Sequence, residues 1–185
     1  MAVVRIGRWI WLAAAVLVLH CGRADAQTTT PTESQVKAVF LYNFTKYVGW
    51  PPEAFAGDTA ALNVCVLGRD PFGPALDATL RGESVNQRSL AARRVSSLDE
   101  VAGCQILFIA DSEEHELTAI LRRVEGKPIL TVGEMDKFAE TGGMIRLRKI
   151  ENKIRLEINE GSAARAGLKI SSQLLKLARI VASSG

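Results

Sequence analysis

Beyond the first 26 residues the chain carries one histidine, His115, set in Glu113-Glu114-His115-Glu116. A zinc-binding helix needs a second ligand at the i+4 position, and adjacent helical residues point in different directions, so this run reads as a solvated helix face. The same scarcity leaves a Ser-His-Asp or Cys-His set without a placed base. Cys65 sits in the middle of an apolar run, a setting for a buried sulfur rather than a nucleophile. Neither a Walker loop nor a G-x-G-x-x-G fingerprint occurs. No catalytic residue, metal site or cofactor is assigned.

Two carboxylates have suggestive positions. Asp70 and Asp111 each follow an apolar, β-rich run, and open α/β sheets place ligands beyond the C-terminal ends of their strands. They are the ligand-binding candidates. A competing reading makes both helix caps, since Asp70 precedes Pro71 and Asp111 stands three residues before Glu114. For a partner surface the candidates are Tyr42, off the main apolar face of its helix, and Trp50 at the helix exit. Further candidates lie along residues 153–160. There Ile154, Leu156 and Ile158 share one face of a strand, and Lys153, Arg155 and Glu157 share the other, before Asn159, Glu160 and a turn. On an edge strand, Arg155, Glu157, Asn159 and Glu160 would meet a partner, and charge reversal at Arg155 or Glu157 would leave the fold intact.

Alternating elements must position these residues. Over residues 33–48, Val36, Val39, Phe40, Phe44, Tyr47 and Val48 recur at helical spacing with Lys37 and Lys46 among the polar positions, and Pro51-Pro52 stops the helix. Apolar runs at 62–67, 90–95, 105–110 and 129–132 read as strands. Helical segments separate them, the clearest at 112–124. Residues 142–149 and 153–159 alternate across a short link, the pattern of an antiparallel hairpin. Leu174, Leu177 and Val181 predict a last helix over 171–182. The expected fold is a single α/β domain over residues 32–185, with a mixed, mostly parallel sheet flanked by helices, a late antiparallel hairpin and a C-terminal helix.

The N-terminus predicts export. Arg5 and Arg8 precede an apolar run from Trp9 to Leu19, and Ala24-Asp25-Ala26 supplies a small-x-small cleavage site, so residues 1–26 read as a signal peptide and 27–31 as a disordered lead-in. The apolar run is too short for a membrane anchor. His20 before Cys21 argues against lipid attachment, because such sites want a small residue there. The formal charge of +3 for the whole chain, with acids interleaved among the bases, gives no footprint for nucleic acid. After cleavage two cysteines remain, Cys65 and Cys104, and an oxidising compartment favours a disulfide between them over two buried thiols.

The run from Lys37 to Pro51, KAVFLYNFTKYVGWP, resembles the opening motif of the YfiR-like family of periplasmic regulators, and Ile158-Asn159 with the run from Ala163 to Ala178, AARAGLKISSQLLKLA, resembles its closing segment. The resemblance implies a dimeric, non-enzymatic protein that represses an inner-membrane diguanylate cyclase by binding its periplasmic sensor domain. It also implies redox tuning through disulfides in some relatives. A second cysteine pair in the later strands has no counterpart here, since no cysteine follows Cys104.

Overall fold

Thr32 opens the first element as a capping box: its hydroxyl accepts from the Gln35 N–H at 3.3 Å, while the Gln35 side chain accepts from the Thr32 N–H at 2.8 Å. The computed structural model describes residues 30–183. The expected signal peptide lies outside them.

Helix α1 (Glu33–Tyr47) leads into strand β1 (Val48–Gly49). Then follow β2 (Leu62–Leu67), α2 (Pro74–Leu80), β3 (Ser84–Val85), β4 (Arg88–Val95), β5 (Ile106–Ile109), α3 (Leu117–Val124) and β6 (Leu130–Gly133). The chain ends with β7 (Ile145–Ile150), β8 (Lys153–Ile158), α4 (Glu160–Arg165), β9 (Lys169–Ile170), α5 (Ser172–Leu175) and β10 (Ala178–Ile180). Eight strands form one mixed sheet in the order β10-β8-β7-β6-β5-β2-β4-β3, mostly parallel, and β1 pairs with β9 apart from it. The expected α/β class with its late hairpin is what forms.

The central strands are apolar on both faces because both are covered. Val64, Val66, Ile106, Phe108, Leu130 and Val132 meet α1 and α2 on one side. Cys65, Leu67, Leu107 and Ile109 meet Leu117, Ile120 and Val124 of α3 on the other. In the β7–β8 hairpin the two-residue turn, Glu151 and Asn152, has positive φ at both positions (47° and 63°), which matches the twist of the flanking strands. The β6–β7 crossover is clamped by Phe138, whose ring lies between Gly133 and Gly143 so closely that a Cβ at either would collide with it.

Several expected details differ. The last helix is one short turn, after which the chain extends as β10 and pairs in parallel with β8, Arg179 opposite Glu157. That pairing satisfies β8's free backbone edge, an option invisible to periodicity. The segment at 112–124 begins as a 3-10 helix, Asp111–Glu116, with no capping bond from Asp111. Ser112 explains it: its hydroxyl accepts from the Arg69 N–H at 2.9 Å and donates to Glu113, fixing the segment's start to the β2 loop. Asp70 does not start a helix at Pro71 either. Its carboxylate closes a turn onto the Phe72 N–H at 2.7 Å, and α2 begins at Pro74 after Gly73 (φ 54°).

Cys65 and Cys104 form the disulfide, with Cα atoms 5.9 Å apart and both residues buried on the α3 side. The bridge closes a segment with a sequence separation of 39, so Cys65→Ser or Cys104→Ser is expected to lower stability by about 2 to 4 kcal/mol. Urea unfolding measures the loss. Labelling of denatured, unreduced protein should find no free thiol at either position.

Candidate functional site

The rotation of α1 decides what the surface offers. Its inward face is Lys37, Ala38, Leu41, Phe44 and Thr45, which shares only Phe44 with the helical apolar stripe that spacing predicted. Lys37 is held there by Glu33 at 2.6 Å and Glu134 at 2.7 Å. Burial opposes its charge, but the two carboxylates outweigh burial and raise its pKa. Lys149 pairs with the other Glu33 oxygen at 2.6 Å, and these two lysines hold the Glu33 carboxyl at about 2. Turning Lys37 inward turns Val39 and Tyr47, two positions of the expected apolar stripe, outward, 46% and 38% exposed.

The outward stripe runs into a groove of about 530 Å³ between α1, β8 and α5, lined mainly by Phe40, Phe44, Tyr47, Ile154, Leu174 and Leu177. Leu177 is 76% exposed because α5 ends at Leu175, before the side chain can turn inward. This volume lies in the range of ordinary binding sites. Arg155 stands at the groove's edge.

A second cleft, about 200 Å³, opens at the strand ends between the β2 and β5 loops, where the connections diverge to opposite sides of β2. Asp70, Asp111, Ser112 and Glu134 line it, so the two ligand-binding candidates do converge. Its chemistry is largely internal. Asp70 is engaged by Phe72 N–H and by Arg94 at 2.9 Å, and Glu134 by Lys37. Burial pushes the Glu134 carboxyl up, and Lys37 offsets this only in part. Among the described residues no group of three His, Cys, Asp or Glu side chains is arranged to hold a metal.

A family model described as DUF4154, YfiR/HmsC-like, matches residues 34–179. The chain belongs to this family. YfiR/HmsC-like proteins are periplasmic, non-catalytic regulators of diguanylate cyclase signalling. Among the described residues no helix is long and apolar enough to cross a membrane.

The partner candidates of this YfiR/HmsC-like chain fall into two groups. Arg155 and Glu160 are exposed. Glu157 and Asn159 are not: they are 3% and 2% exposed, because β10 makes β8 an interior strand over Leu156–Ile158. Asn159 caps α4 by accepting from the Ser162 N–H at 2.9 Å and donates to the Ala139 carbonyl at 2.8 Å. Trp50, half-buried, donates its indole N–H to the Gln105 carbonyl at 3.0 Å just before β5, and the Tyr42 hydroxyl of α1 donates to the Glu83 carboxylate just before β3, so both have partners within the chain. Residues missed by sequence reasoning are Lys37, whose i−4 partner Glu33 was the only hint, and Leu177, whose exposure depends on where a helix ends.

Glu157 is an ionic hub instead. Arg179 at 2.8 Å, Arg148 at 3.2 Å and Arg146 at 3.3 Å converge on its carboxylate. Burial alone would push its pKa up, and the three guanidiniums reverse that to a net lowering. Glu157→Gln is expected to cost about 1 to 3 kcal/mol, since it leaves three arginines without their shared carboxylate. With a folded pKa below the unfolded value of about 4.3, the carboxylate's contribution is complete above that value and is lost as pH falls through the lowered one. The stability difference between wild type and Glu157→Gln should therefore be constant above about pH 5, shrink as pH falls and vanish below the lowered pKa, as acid unfolding profiles would show.

Proposed function

We propose that this chain is a periplasmic repressor that binds the periplasmic sensor domain of an inner-membrane diguanylate cyclase and lowers cyclic-di-GMP output. The observation that carries this reading is the apolar groove beside α1, continuous with the outward stripe of Val36, Val39 and Phe40. A helix that is apolar both toward its own core and toward solvent keeps surface that its own chain does not bury, and such patches mark interaction sites. The protein acts by occupancy, through the surface this groove leaves to be covered. The groove's apolar anchors supply affinity. The homodimer implied by the family resemblance forms through another surface, since this groove is filled by the sensor domain.

A small-ligand role at the strand-end cleft is the weaker reading, because the space is below the usual 300 Å³ or so of ligand sites and Asp70 is already committed to Phe72 and Arg94.

Leu177→Glu places a charge in the groove at a position that contributes little to the core. The variant is expected to unfold within about 0.5 kcal/mol of wild type. It should lose at least tenfold in affinity for the sensor domain, about 1.4 kcal/mol, and raise cellular cyclic-di-GMP. Titration calorimetry with the isolated sensor domain and a cyclic-di-GMP assay read the two outcomes. Unchanged affinity and unchanged cyclic-di-GMP would sink the reading.

A further inference from the structure

The hairpin's other face, opposite α1, lies on the α3 side of the sheet. None of the residues of β7 or β8 joins the apolar cluster under α3. On this face the register sets Arg148 opposite Arg155, Arg146 opposite Glu157 and Ile150 opposite Lys153, with Arg179 of β10 beside Glu157. Five cations thus share one face of three adjacent strands. The carboxylates among them are Glu157, at the centre, and Asp136 and Glu140, which reach Arg146 and Arg179 from the β6–β7 loop.

The positions of the charges matter more than their number. Like charges directly opposite in an antiparallel pair destabilise it, and the Arg148–Arg155 pair is such a pair. Arg148 shares Glu157 with two other arginines, and Arg155 and Lys153 have no ion pair among the described residues. Three of these cations hold the buried Glu157, but folding gains nothing from setting Arg155 opposite Arg148 or from Lys153. Four of the five cations are arginine, whose planar fork suits bidentate carboxylate recognition and which is enriched at protein interfaces where lysine is depleted. Half-exposed Ile150 adds an apolar contact at one end.

We propose that this arginine face docks an acidic protein segment, whose carboxylates insert between Arg148 and Arg155. The proposal rests on the repressor reading and deepens it. The partner engages both sides of β8, the apolar groove on one and this basic face on the other, and its contacting surface is acidic. Charge complementarity selects the occupant: a second copy meeting the same face would set cation against cation.

The test uses the mature chain and a labelled Asp/Glu-rich peptide, with a Lys/Arg-rich peptide as control, followed by fluorescence anisotropy. Wild type is expected to bind the acidic peptide, more weakly as salt rises, and not the basic one. The double variant Arg148→Gln/Arg155→Gln should lose binding at least tenfold while its melting temperature moves by no more than about 3 °C, because the repulsive pair removed offsets the loss of one of Glu157's three arginines. A merely structural role predicts the reverse, a lower melting temperature with binding unchanged, and that result overturns the proposal. So does tighter binding to inorganic phosphate or to phosphatidylglycerol vesicles than to the peptide. Peptide binding lost in the double variant, with wild type failing to bind the sensor domain, would remove the repressor reading and leave the acidic-segment site standing. Sensor-domain binding that survives the double variant would do the opposite.

Discussion

Lys37 fixes how α1 lies on the sheet, and the surface follows from that. An ammonium under a helix must find carboxylates, and Glu33 one turn back and Glu134 at the end of β6 supply them. The triad commits one face of α1 to the core irrespective of where its largest apolar side chains stand. Val39, Tyr47 and part of Phe40 are then left outside, the last two beside β8 and α5. An apolar residue at position 37 would be expected to relieve the burial of charge and to lose the rotational constraint, so the triad trades stability for orientation.

At the far end of the sheet, a second buried charge organises the last strands. Glu157 gathers arginines from β7, β7 again and β10, and through Arg179 it holds the terminal strand against β8. The Val181 N–H donates to the Ile158 carbonyl at 2.9 Å, and the Asn159 side chain donates to the Ser183 hydroxyl at 2.9 Å, completing that attachment. Asp136 and Glu140 pair with Arg146 and Arg179 as well, so the three guanidiniums are matched by three carboxylates. The hub stabilises the edge of the sheet, and the positive charge of the face beside it comes from Lys153 and Arg155, which have no ion pair among the described residues.

The disulfide and the strand-end cleft show a different relation between fold and site. Cys65 and Cys104 are joined within the apolar layer beneath α3, far in kind from a reactive thiol, and the bridge secures the β2 and β5 region. Asp70, Asp111 and Glu134 meet at the strand ends as doubly wound topology requires, yet the turn at Phe72, the Arg94 pair and Lys37 use most of their bonding capacity. Position at a switch point gives opportunity, and the neighbours decide whether any is left for a ligand.

The central strands, the disulfide pair, the hairpin and the α/β class were legible in the sequence because each rests on a local pattern: unbroken apolar runs, two cysteines in an oxidising context, alternation across a two-residue turn. Sites were less so. Arg155 was rightly placed on an exposed strand face, but Glu157 on the same face is buried, and the helix drawn through Leu177 is a turn and a strand. The physical reason is common to these cases. Periodicity reports which residues share a face, whereas burial depends on what arrives against that face from elsewhere in the chain: β10 beside β8, Glu134 beneath Lys37, three arginines around Glu157. The sequence by itself determined the strands, the class and the cysteine bridge, which are short-range or compositional matters. Tertiary structure alone decided the rotation of α1, the end of the last helix and the groove between them, because those are settled by pairing charges and backbone edges over long separations.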